Sequence, residues 1–121
     1  MKILLDTNFV LTCIKQKIDF ETLANEILDG KIEWIIPLEV LKEIEKFKDK
    51  VLSKKSLEFL DKLKPQIIKL EGNSPNVDQK IARYIYGEKI ILATLDKGLK
   101  SKVNNPILSI RGKKMLKLLK Q

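Results

Sequence analysis

Apolar residues along the chain fall into two rhythms. Short runs at residues 3–5, 34–36, 67–70, 90–93 and 107–110 lack clean polar alternation, the pattern of strands buried on both faces. Between them apolar positions recur at helical spacing. Helices are expected over about 8–16 and 20–28, the second ended by Gly30. A third opens after Pro37 with Val40, Leu41, Ile44 and Phe47 on one face. A fourth covers about 53–63 and stops at Pro65. A fifth follows Ser74-Pro75-Asn76 and runs to Gly87 with Val77, Ile81, Ala82 and Ile85 inward. A short sixth follows Asp96, and a last one is expected over 112–119. Strands separated by helical crossovers predict an α/β fold of three layers, α/β/α, around a mostly parallel sheet of about five strands.

Two of the apolar runs deliver a carboxylate. Lys2-Ile3-Leu4-Leu5 ends at Asp6, and Lys89-Ile90-Ile91-Leu92-Ala93-Thr94-Leu95 ends at Asp96. As parallel strands they bring both acids to the carboxyl edge of the sheet, where open α/β sheets keep their ligand crevice. Helix geometry adds two more. At 100° per residue Glu43 falls on the flank of the third helix's apolar stripe, whereas Glu45 faces away; Glu39, one turn earlier, points roughly with Glu43. Asp78 lies in line with Ile81, Ala82 and Ile85 on the fifth helix. Each acid has a plainer role open to it, Asp6 and Asp96 as helix caps, Glu39 and Asp78 as first-turn acids. Together, Asp6, Glu43, Asp78 and Asp96 in one crevice would repel one another unless a cation neutralised them. The absence of His, with a single Cys, excludes His-ligated zinc and Ser-His or Cys-His nucleophiles. An all-oxygen pocket suits Mg²⁺ or Mn²⁺, used to activate water against a phosphodiester.

Composition narrows this further. At 121 residues, with 44% hydrophobic and 33% charged residues, the chain is expected to form one domain, 1–121, with no linker or repeat. The opening residues enter the fold at once, no run approaches the roughly 18 apolar residues of a membrane span, and a cytoplasmic protein is expected. Cys13, between Leu11 and Ile14, reads as a small buried apolar residue. The net charge of +8 is localised: residues 97–121 hold eight Lys or Arg and no acid, while the first 96 carry sixteen of each sign. That is the footprint of a polyanion-binding edge, or of a solubilising basic tail.

These segments resemble the PIN-domain family of metal-dependent ribonucleases. Leu4-Leu5-Asp6-Thr7-Asn8-Phe9-Val10 is similar to the family's opening strand motif, and Pro37-Leu38-Glu39-Val40-Leu41-Lys42-Glu43-Ile44 to its Glu-bearing third helix. Asn76-Val77-Asp78-Gln79-Lys80-Ile81-Ala82 and Ala93-Thr94-Leu95-Asp96-Lys97-Gly98-Leu99 resemble its two later Asp motifs. The resemblance spans nearly the whole chain. It implies a divalent-metal-dependent endoribonuclease with Asp6, Glu43, Asp78 and Asp96 as metal-site and catalytic residues, and Thr7, Asn8 and Thr94 as supporting groups. RNA is the implied partner, with a homodimer possible, and an antitoxin or a ribosome-assembly factor according to branch. The closing motif is nearer in look to the ribosomal-RNA-processing branch, and the toxin branch fits as well. One position departs from the pattern, Leu95 standing where the family usually has Asn. The alternatives are a catalytically silent RNA-binding module and a protein whose basic end docks on a partner. No Gly-rich phosphate loop follows any strand, which speaks against a nucleotide-binding domain.

Overall fold

The computed structural model describes residues 1–120. Chain order is β1 (Lys2–Leu5), α1 (Thr7–Lys15), α2 (Phe20–Ile27), β2 (Glu33–Pro37), α3 (Leu38–Glu45) and α4 (Lys50–Leu63). There follow β3 (Gln66–Ile68), α5 (Val77–Ile85), β4 (Ile90–Ala93), α6 (Lys97–Ser101), β5 (Ile107–Arg111) and β6 (Met115–Leu119). The strands form one sheet in the order β3-β2-β1-β4-β5-β6, parallel throughout except for β6, which pairs antiparallel to β5. From β1 the chain steps outward to β2 and β3, then returns to the other side of β1 for β4 and β5. Right-handed crossovers then put α1 to α4 on one face and α5 and α6 on the other. The packing agrees: α1, α3 and α4 touch one another, and α5 touches α6.

Buried strands explain the unbroken apolar runs. Ile3, Leu4, Leu5, Trp34, Ile35, Ile36 and residues 90–93 are all buried. Polar side chains start the helices. Asp6, Asp19, Asp49, Asn76 and Asp96 each accept a backbone N–H at the head of α1, α2, α4, α5 and α6 respectively. Cys13 is buried as expected, and burial pushes its thiol up to about 12, far from reactive. Asn105 ties one end of the sheet together, its amide nitrogen donating to the carbonyls of Ile85, Glu88 and Ile90, each at 3.0 Å. No helix among the described residues is long and apolar enough to cross a membrane.

Three expectations are corrected. The run at 67–70 is not a strand buried on both faces: β3 spans Gln66–Ile68 at the edge of the sheet, and Ile67 is 58% exposed. The last segment is a strand, not a helix: Gly112 adopts φ +63°, the chain reverses over residues 112–114, and Arg111 to Ile107 pair with Met115 to Leu119. The free edge of β5 decides this, because a strand laid beside it gains a full ladder of backbone hydrogen bonds and leaves no edge of β5 unpaired. The third helix also ends earlier than its apolar period implied, at Glu45, so Phe47 sits in the loop beyond it.

Phe20 links both ends of the helical layer to the sheet. Its ring meets Phe9 at 5.4 Å, Trp34 at 5.2 Å and Phe59 at 4.8 Å, and it is fully buried. Phe20→Ala is expected to lower the unfolding free energy by about 3–5 kcal/mol, measured as a shift of the urea midpoint.

Candidate active site

The sheet reverses its strand order between β1 and β4, and such a switch point opens a crevice beyond the carboxyl ends of the strands. Leu5 is paired with Ala93, so the residues that follow each strand emerge side by side. The crevice there has a volume of about 600 Å³. Asp6, Glu43, Asp78 and Asp96 all line it, with Thr7, Asn8, Leu11, Phe47 and Asn76. The four acids arrive from four elements: the end of β1, the middle of α3, the first turn of α5 and the cap of α6.

Asp6 is the most enclosed, at 6% exposure. Its N–H continues the sheet ladder to the Ala93 carbonyl at 3.0 Å. One carboxylate oxygen accepts the Thr7 N–H at 2.9 Å, and the other accepts the Thr94 hydroxyl at 2.7 Å. Thr94 is buried, and its oxygen in turn accepts the Asp96 N–H at 3.1 Å. One hydroxyl thereby sets both acids of the central strand pair. Asn8 helps from the other side, accepting the Leu95 N–H at 3.2 Å. Asp96 caps α6 by accepting the Leu99 N–H at 3.1 Å, and the Thr7 hydroxyl donates to Glu43 at 3.0 Å. The supporting roles implied for Thr7, Asn8 and Thr94 correspond to these contacts.

Electrostatics shows how the acids sense one another. Burial pushes the Asp6 carboxyl up to about 6; the bonds from Thr94 and the Thr7 N–H pull it down, and the charges of Asp78 and Glu43 push it further up. Asp78 is raised by burial and by the charge of Asp96, while Lys102 draws it back. Asp6 thus feels two of the other acids, and Asp78 feels Asp96. Among the described residues no three of these groups form a ready-made ligand cluster for one ion. The donor set is all oxygen, which fits a hard cation that keeps several of its waters and is held through one or two carboxylates.

Glu39 takes a different place. It accepts the Leu70 N–H at 3.3 Å and stands 4.0 Å from Lys80 Nζ, joining α3 to the segment after β3 and to α5, away from the crevice lining. Glu45 is exposed, as its helical angle implied. Phe47 and Lys102 belong to the site's surroundings and were not singled out for it by spacing. Phe47 looked like one more apolar helical position, and Lys102 one more lysine of a basic run.

No family model matches the chain. Ribonuclease VapC4 of Methanocaldococcus jannaschii is 32% identical over 129 residues, an alignment that covers 97% of this chain and 95% of that protein. The chain belongs to the PIN-domain family of ribonucleases. The structure of the PIN-domain endonuclease Utp24 superposes on this PIN domain with a TM-score of 0.81 at 25% identity, covering 97% of this chain and 90% of that one. A structure of VapBC2 from Rickettsia felis, bound to a DNA fragment from its promoter, shares the fold with a TM-score of 0.66 at 22% identity, covering 92% of this chain and all of that one.

The raised Asp6 carboxyl sets a pH dependence. Between the ordinary 3.8 and about 6 the folded PIN domain holds a proton that the unfolded chain has released, so stability falls as pH rises through that window. A shift of this size corresponds to about 3 kcal/mol. Urea midpoints measured with chelator from pH 4 to 7 should decline for the wild type, and Asp6→Asn should flatten that decline and be the more stable protein at pH 7.

Proposed function

We propose that this PIN domain is a divalent-metal-dependent endoribonuclease that hydrolyses RNA phosphodiester bonds with Asp6, Glu43, Asp78 and Asp96 as metal-site and catalytic residues. The observation that carries the reading is the convergence of these four carboxylates on one crevice, the most buried of them raised chiefly by burial and further by the charges of Asp78 and Glu43. A buried carboxylate with a raised pKa, lining a crevice with other acids, is a mark of function. Mg²⁺ or Mn²⁺ would neutralise the cluster, activate a water and stabilise charge developing on phosphorus. The protein's part is to aim the oxygens. Thr94 and the Thr7 N–H hold Asp6, Thr7 holds Glu43, and the helix cap holds Asp96.

Binding of the RNA backbone falls to the basic residues around this edge. Lys97 and Lys100 lie on α6, directly after Asp96, and the charge of Lys102 reaches Asp78. The corrected β6 matters here. Because β5 runs parallel to β4, its hairpin turn leaves the same edge of the sheet, bringing Arg111, Lys113 and Lys114 to the carboxyl edge on which the crevice opens. A helix in that position would have had no such reason to return. The 32% identity with ribonuclease VapC4 over nearly the whole chain supports a toxin role with an antitoxin partner, and the likeness to Utp24 supports RNA processing, with a ribosome-assembly partner in that case.

A catalytically silent RNA-binding module is the second reading, and Leu95 favours it. Its side chain packs half-buried against the core and offers the crevice no polar group, leaving only its backbone N–H bonded to Asn8. Incubation of the full chain with labelled single-stranded RNA in Mg²⁺, Mn²⁺ or chelator separates the two. Cleavage is expected only with metal. Asp6→Asn and Asp96→Asn should each reduce it at least about 100-fold, and Thr94→Val by about 10- to 100-fold through loss of orientation alone. Undiminished cleavage in chelator, or wild-type cleavage by either Asn variant, would overturn the assignment; equal RNA binding with and without metal and no products would establish the silent module.

A further inference from the structure

A second depression opens out of the crevice between the outer face of α1 and the start of α4. Its volume is about 390 Å³, and it shares Asn8, Leu11 and Phe47 with the acid-lined crevice. The two adjoin at Phe47. Beyond that ring the lining becomes apolar and basic, with Leu52 on the floor and Lys15 and Lys48 in the wall. Asp49 is the acid of this lining, and it is engaged in capping α4 through the Leu52 N–H at 3.0 Å.

Phe47 is held as a fixed platform. It follows the cap of α3, and its N–H donates to the Ile44 carbonyl at 3.2 Å. The same carbonyl accepts the buried Ser53 hydroxyl from α4 at 2.7 Å, clamping the loop between the two helices. One side of the ring rests against the core, leaving the remainder to the two depressions. The hydrolytic step has no use for this ring. An aromatic side chain on a fixed stretch of backbone, partly uncovered and flanked by lysines, is the composition of a base-stacking site for single-stranded nucleic acid.

We propose that this groove holds the nucleotide next to the scissile phosphate, its base stacked on Phe47 and its own phosphate held by Lys15 and Lys48. The inference rests on the reading of the crevice as a ribonuclease site and adds to it a substrate class. A base inside a duplex has no free face to offer, so the nucleotide beside the cut must be unpaired. Size supports one nucleotide, since the groove lies near the lower end of small-ligand pockets, roughly 300–1,000 Å³. Charge supports it too, because an RNA strand leaving the acids on this side meets two lysines where its next phosphate would pass.

The test is a double-mutant cycle between protein and RNA. Short single-stranded RNAs, each with one abasic nucleotide at a different position around the mapped cut, are cleaved by the wild type, Phe47→Leu and Phe47→Tyr. For the wild type, removal of one particular base beside the cut should reduce kcat/KM about 5- to 100-fold. Phe47→Leu should lose a similar factor on the intact RNA and show no additional loss on that abasic RNA, because both changes delete the same stack. Phe47→Tyr keeps the ring face and should behave as wild type, which separates stacking from a packing defect. In anisotropy binding of the intact RNA, Lys15→Ala and Lys48→Ala should each lower the slope of log affinity against log salt by about one. Indifference of the wild type to every abasic position, or losses that simply multiply in the cycle, would overturn the base site while leaving the ribonuclease intact; the groove would then be free for a protein partner. Failure of the wild type to cut any RNA would remove both readings.

Discussion

A single hydroxyl sits where the two central strands end. Thr94 is buried, donates its one proton to Asp6 and receives the N–H of Asp96, while its own N–H is spent on the Leu108 carbonyl of β5. Through it the pairing of β1 with β4 becomes a fixed relation between two carboxylates that are distant in sequence. Without that bond Asp6 would be a buried charge with one hydrogen bond, a costly arrangement in a low-dielectric setting. With it, the charge is oriented, although burial still holds the carboxyl above its ordinary range.

The remaining site uses the same economy. Asp6 and Asp96 start α1 and α6 as ordinary caps and also line the crevice, so the forces that begin the helices place the acids. The cap occupies one carboxylate oxygen of Asp96, through the Leu99 N–H. Around this acidic centre the surroundings divide by side. Toward β5 lie α6 and the basic hairpin; toward α4 lies an apolar groove with two lysines and a fixed aromatic ring. An extended RNA strand laid across the carboxyl edge would meet cations, then acids, then a stacking surface, a sequence of environments that suits a backbone cut beside an unpaired base.

Local sequence was sufficient for much of this. Buried parallel strands have no solvent face, so the apolar runs of β1, β2, β4 and β5 stand out without alternation, whereas the run at 67–70 belongs to an exposed edge strand whose exposure its residues do not reveal. Caps such as Asp6, Asp96 and Asn76 act on N–H groups within three residues and are legible for that reason. Glu43 could be placed on the crevice side because helical geometry alone separates it from Glu45. Glu39 could not be assigned in the same way, since its partners, the Leu70 N–H and Lys80, come from other elements. Phe47 kept the period of α3 after the helix had ended, and only the clamp of Ser53 on the Ile44 carbonyl explains why the chain turns there.

The segment after Gly112 draws the line most sharply. Met115-Leu116-Lys117-Leu118-Leu119 satisfies the spacing of a short amphipathic helix and of a strand alike, and nothing inside those five residues chooses. The unpaired edge of β5 chooses, because a strand laid beside it satisfies backbone groups on both. Residue patterns therefore specified the parallel α/β order and the acids at its strand and helix ends, as these depend on neighbours in the chain. The placing of those acids around one hydroxyl, the return of the basic residues to their edge and the exposure of Phe47 beside them depend on contacts between distant segments, which exist only once the sheet has formed.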